Sequence, residues 1–207
     1  MARKHAILLV IIVSVLLLVV AMLYYPGGSR IDKNSVGFDW KNNYFSNLFG
    51  KTALNGSNNP SRLWAIAGTF FLSISFALFF TEFSKRIPLK SSARVIKYFG
   101  IAAMISTFLA VTPYHDLMIT ISCTLVLISI FYISVYVFKS KLHFFKIVCI
   151  LCLLALYSSI YVYYTGNFVE FLPIMQKVDF AMTIIWMLSL LYFTGVNDFK
   201  PVEKLSR

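Results

Sequence analysis

Two sets of polar side chains recur at intervals of three and four residues: Asp116, Thr120, Cys123 and Thr124, and Gln176, Asp179, Thr183 and Trp186. At that spacing side chains share one face of an α-helix. Both sets lie in or at the edge of apolar runs, where an ionisable group is costly and ordinarily faces a bundle interior or water. Facing one another, they would make a polar ligand pocket of His115, Asp116, Thr120, Gln176 and Asp179, with Tyr114 at its mouth. Tyr157 and Tyr161 would add hydroxyls from a neighbouring helix, and Arg62 a cation. Plainer roles compete. Asp116 falls in a first helical turn, where the helix dipole favours a carboxylate, and Lys177 is placed to snorkel toward headgroups.

The same residues make poor catalysts. His115, Asp116 and Asp179 are the best metal-ligand set the sequence offers, yet His5 and His143 belong to the other side of the membrane. A catalytic zinc site usually takes three protein ligands, commonly two or more of them histidines. No metal and no other cofactor is therefore expected. A Ser46, His115, Asp179 arrangement can be written down, but no nucleophile motif surrounds Ser46. Cys149 and Cys152 form a C-x-x-C spacing inside an apolar run, without the βαβ context of a redox pair, and read as small packing residues. No catalytic residue is expected.

The elements that must position these residues are membrane helices. The 207-residue chain is 59% apolar and 13% charged, more apolar surface than a soluble domain can hide. A spanning helix needs about 20 mostly apolar residues. Six such runs are expected, over approximately 6–25, 63–80, 95–111, 113–138, 144–164 and 173–193, in one all-α polytopic domain covering 1–207. The first resembles a signal peptide, but its apolar stretch is too long and Tyr24-Tyr25-Pro26 is a poor cleavage site. Between the third and fourth runs, Thr112 is expected as an N-cap with Pro113 at the first helical position.

The net charge of +11 comes without a nucleic-acid module, and the basic residues sit in the gaps between apolar runs. No nucleic-acid partner is expected. Thirteen of the 19 Lys and Arg residues fall on one side (Arg3, Lys4, Lys85, Arg86, Lys90, Arg94, Lys97, Lys139, Lys141, Lys146, Lys200, Lys204 and Arg207), against six on the other (Arg30, Lys33, Lys41, Lys51, Arg62 and Lys177). The positive-inside bias makes the first side cytoplasmic. Both termini are then inside a cell (inner or plasma) membrane, and the long loop 26–61 is outside. In that loop Trp40, Tyr44, Phe45, Leu48 and Phe49 recur at helical spacing. They read as a short interfacial helix ended by Gly50, or equally as a cap packed over the bundle. Either makes Trp40, Tyr44 and Ser46 part of a lid.

The stretch Asn43-Tyr44-Phe45-Ser46-Asn47-Leu48-Phe49-Gly50, followed by Asn59-Pro60-Ser61-Arg62 and an apolar helix, is similar to the outer-loop signature I-S-D-L-G of the six-helix membrane family called domain of unknown function 998. It is distantly like membrane proteins of the DRAM type. Here Asn47 stands where that family usually has an aspartate, and Phe49 separates Leu48 from Gly50. The resemblance implies a fold and a membrane location rather than a reaction. The expected function is non-enzymatic: binding or handling a lipid or small amphiphile in an outward-facing pocket, with membrane lipids as partners. The alternatives are an intramembrane lipid hydrolase and a structural or accessory subunit held by a membrane-protein partner.

Overall fold

The computed structural model describes residues 2–200, so Lys204 and Arg207 of the charge count lie outside the described residues. Six helices carry the chain: α1 (Ala2–Leu23), α2 (Ser61–Ser84), α3 (Lys90–Leu109), α4 (His115–Lys139), α5 (His143–Thr165) and α6 (Leu172–Phe193). All six are long and apolar enough to cross a membrane. Among the described residues there is no β-strand, only two isolated bridges within the long loop, Gly27 to Val36 and Thr52 to Asn58.

Helices α1 to α4 pack as successive neighbours, the α4–α5 and α5–α6 seams are looser, and α6 returns to α1 and α2. Small residues set the close approaches. Ser14 Oγ donates to the Gly68 carbonyl at 2.8 Å across the α1–α2 contact. Between α2 and α3, a Cβ on Gly100 would come within 2.2 Å of the Phe80 ring.

The apolar core fills one half of the bundle. It joins Ile7 and Ile11 of α1, Phe79 and Phe83 of α2, Ile96 of α3, Ile133 of α4, Cys149 of α5 and Trp186 and Leu190 of α6. All of these lie toward the end where α1 begins. That end is also the basic one, and Arg86 is buried there against the last turn of α6. Its guanidinium donates to the carbonyls of Leu190 (2.7 Å), Leu191 (3.0 Å) and Thr194 (3.1 Å). Carbonyls at a helix C-terminus run out of backbone N–H donors, and a cation suits the negative end of the helix dipole; the Thr194 hydroxyl also donates to the Leu190 carbonyl at 2.8 Å. A smaller cluster of Leu18, Met22, Tyr25, Leu48 and Ala65 closes the other half, beneath the loop between α1 and α2.

Several boundaries differ from the sequence expectation, each for a local reason. Helix α1 stops at Leu23 rather than Tyr25, because Pro26 disfavours helical backbone before it. Tyr25 turns instead into the loop, where its hydroxyl accepts the Leu54 N–H at 3.1 Å. Helices α2 and α3 extend past their apolar runs to include Glu82, Lys90 and Arg94, since backbone hydrogen bonding does not stop where hydropathy falls. Thr112 does not cap α4. Its hydroxyl donates back to the Leu109 carbonyl at 2.7 Å, finishing α3, and α4 begins at His115, two residues beyond Pro113.

The loop folds as a cap, not as an interfacial helix. Only Phe45–Phe49 is helical, as one 3-10 turn, and Leu48 is fully buried against the bundle. Buried asparagines hold it. Asn43 Nδ2 donates to the Gly28 carbonyl at 2.9 Å, and Asn59 Nδ2 to the carbonyls of Leu48 (3.2 Å) and Gly50 (2.9 Å). Asn47 Oδ1 accepts the Tyr44 N–H at 2.7 Å, starting the 3-10 turn.

Candidate functional site

The loop half of the bundle is not filled between α4, α5 and α6. Near the basic end these helices meet through Ile130, Ile133, Cys149, Cys152, Trp186 and Met187, all buried. About two to three turns nearer the loop, at 3.6 residues per turn, their facing residues become small or polar: Thr120 and Cys123 on α4, Ser159 on α5, Asp179 on α6. A cavity of about 430 Å³ lies among them, with Ile119, Leu156, Ile160 and Leu172 as its apolar wall. Trp186 lies seven residues beyond Asp179, about 10 Å deeper along α6 at 1.5 Å per residue, and its indole N–H points to Cys149 Sγ at 3.2 Å.

Of the residues singled out in the sequence, His115, Asp116, Thr120, Gln176 and Asp179 line this one cavity, as do Tyr44 and Ser46 of the loop. Their positions differ in depth. His115 Nδ1 lies 2.9 Å from Asp116 Oδ1, and the Tyr163 hydroxyl donates to the same oxygen at 3.3 Å. With the Asp116 side chain 85% exposed, this trio forms the rim. Asp179 is half-buried and two turns into its helix. Among the described residues no cation lies within ion-pairing distance of it; the ion pairs found are Arg3–Glu82, Lys85–Glu82 and His115–Asp116. The Ser159 hydroxyl in the same wall is buried and faces Asp179.

The roof is tied down by α6. Gln176 Oε1 accepts the Phe45 N–H at 2.9 Å. Lys177 reaches up rather than into the cavity: its ammonium donates to the carbonyls of Asn43 (2.6 Å) and Pro173 (2.9 Å). It also lies 5.4 Å from the Phe38 ring centre and 5.7 Å from that of Phe45. Phe45 and Phe180 pack with ring centres 5.2 Å apart.

Five expected site residues stand elsewhere, two of them, Tyr114 and Tyr157, exposed and outside the cavity lining. Tyr161 is half-exposed on the outer face of α5, because the inward stripe of that helix is Leu156, Ser159, Ile160 and Tyr163. Arg62 donates its Nε–H to the Phe49 carbonyl at 3.1 Å and lines a separate groove of about 400 Å³ with Lys51, Gly50 and Pro113. The two spaces share Ser46 and His115. Trp40 is exposed, edge-on to Phe38 at 5.8 Å, and does not reach the cavity. Ser159, Tyr163 and Tyr164 are the additions. The inward phase of α5 could have been read from Cys149 and Cys152, since 149, 152, 156, 159 and 163 continue one helical stripe.

His115 pairs with its neighbour Asp116, not with Asp179, and Ser46 makes no hydrogen bond to it among the described residues. No group of three His, Cys, Asp or Glu side chains among the described residues is close enough to hold a metal ion, so His115, Asp116 and Asp179 do not assemble as ligands. No protein-family model, no curated protein and no solved structure matches this chain, and the site is read from its own geometry.

Proposed function

We propose that this protein binds a lipid or small amphiphile in the cavity between α4, α5 and α6, beneath the loop cap, without chemically altering it. The observation that carries this reading is the cavity itself. It lies in the loop-side part of helices apolar enough to span a membrane, its volume of about 430 Å³ is in the range that holds small ligands, and its apolar wall is joined by polar groups both at the rim and, at Asp179 and Ser159, deeper in. The proposed setting is a cell membrane with both termini cytoplasmic and the loop outside, supported by the excess of Lys and Arg at the end opposite the loop. In this arrangement the loop roofs the site from the outer aqueous side. A hydrolase finds less support, because Ser46, His115 and Asp179 do not form a hydrogen-bonded relay.

The test is extraction of co-purifying amphiphile. Wild-type protein purified in a neutral maltoside detergent, then extracted and examined by mass spectrometry, is expected to yield one dominant amphiphile near one equivalent. Thr120→Trp, which places an indole in the cavity, is expected to lose it while keeping its melting temperature. Equal recovery from both proteins would overturn the reading.

A further inference from the structure

The charge inside the cavity has one sign. Asp116 and Asp179 are its carboxylates, and no Lys or Arg among the described residues lines it. Two cations of the loop end are engaged elsewhere: Lys177 is bound to the Asn43 and Pro173 carbonyls, and Arg62 faces the separate groove. His115 is committed to Asp116 at the rim. Asp179 therefore stands half-buried, at membrane depth, without a counter-charge from the described chain. An uncompensated carboxylate in such a place is costly, and a cationic partner offsets that cost.

We infer that the ligand carries an amine or quaternary ammonium group that pairs with Asp179, while its apolar body fills the space beside Ile119, Leu156 and Ile160. This rests on the amphiphile reading above and names the class of headgroup. Two further features suit an ammonium. The rings of Tyr44, Tyr163 and Tyr164 line the same cavity, and aromatic faces attract organic cations. The buried Ser159 hydroxyl beside Asp179 can accept a hydrogen bond from a primary ammonium. A bare metal ion suits the site less, since no third ligating side chain joins the carboxylates and the walls are apolar. An anionic headgroup would meet two like charges.

Calorimetric titration of the detergent-purified protein at pH 7 with octylamine, octyltrimethylammonium, octan-1-ol and octanoate holds the chain constant and varies the head. Either cationic probe is expected to bind about tenfold tighter than the alcohol, the scale of one modest charge pair, with octanoate weakest. In Asp179→Asn the cations are expected to fall to the alcohol's affinity while octan-1-ol binding is unchanged. Asp116→Asn, at the exposed rim, is expected to change the ranking little. Equal affinity for amine and alcohol in the wild type would overturn the inference and leave the amphiphile reading standing. Failure of all four probes, with Thr120→Trp indistinguishable from wild type, would remove both. The wild-type ranking decides by itself where Asp179→Asn does not fold.

Discussion

Arg86 is buried at the basic end of the bundle with the carbonyls of Leu190, Leu191 and Thr194 and the Thr194 hydroxyl as acceptors, the last at 2.8 Å. Its burial pushes the guanidinium pKa below the ordinary value, while the charges of Glu82 and Asp198 push the other way. It remains charged at neutral pH, because an arginine starts so far above it. A planar fork can serve several carbonyls together; a lysine ammonium on a flexible stem cannot match that geometry. Arg86→Met is expected to destabilise the protein by about 2–4 kcal/mol, the usual cost of orphaning buried hydrogen-bonding groups. Arg86→Lys should recover only part of this. Thermal unfolding in detergent with both variants checks it, and an unchanged midpoint for Arg86→Met would show that water replaces the guanidinium without loss. Asn47 makes a different point. It serves as the acceptor that starts the 3-10 turn, a role an aspartate can also fill. Asn47→Asp is accordingly expected to keep the loop fold, and Asn47→Leu to lose it, as read by protease resistance of the loop.

At the scale of elements, the loop cap is held on α6 by Lys177 and, behind it, by Asp39. Burial raises the Asp39 pKa, but the Asn42 amide, the backbone N–H groups of Lys41 and Asn42 and the Lys177 charge outweigh it, so the net shift is downward. A depressed carboxylate contributes stability that is present above its unfolded pKa and is lost as pH falls through the folded value. The cap should therefore hold at neutral pH and loosen below about pH 4, the ordinary aspartate range. Hydrogen exchange over residues 38–47 in wild type and Asp39→Asn checks this; identical acid profiles would refute it. Close helix packing gives a second expectation. Gly100→Ala drives a methyl into the buried Phe80 ring and should cost about 1–3 kcal/mol, as overpacking does, measured as a lowered melting temperature.

What could be read ahead of the structure follows the same physics. Six apolar runs announce six helices because lipid leaves the backbone few other choices. The inward faces of α4 and α6 were legible because Asp116, Thr120, Gln176 and Asp179 are polar in apolar surroundings and mark one side. Helix α5 carries tyrosines and serines around much of its circumference, so Tyr157 and Tyr161 suggest one phase while the cavity-lining Ser159 and Tyr163 follow another. The loop was hardest. Its buried asparagines bond to carbonyls 9 to 15 residues away, and no local periodicity encodes such partners.

For the whole molecule, sidedness decides whether the cavity meets the outer leaflet or the inner one. The loop end carries Arg30, Lys33, Lys41, Lys51, Arg62 and Lys177, while the described part of the opposite end carries eleven Lys and Arg residues from Arg3 to Lys200. That imbalance is short-range in sequence to the helix ends, the setting in which basic residues determine topology. Single reporter cysteines can read it, because Cys149 and Cys152 are buried and Cys123 partly so; replacing all three by alanine clears the background. Ser57→Cys lies at an exposed turn of the cap and Lys141→Cys at the exposed α4–α5 turn. In intact cells a membrane-impermeant maleimide is expected to label position 57 at once, and position 141 only after permeabilisation. The reverse pattern would put the cap and the mouth of the cavity in the cytoplasm. An amphiphile entering beside Asp116 would then come from the inner leaflet, where anionic lipids predominate, and a cation-selective site would be choosing against its surroundings rather than with them.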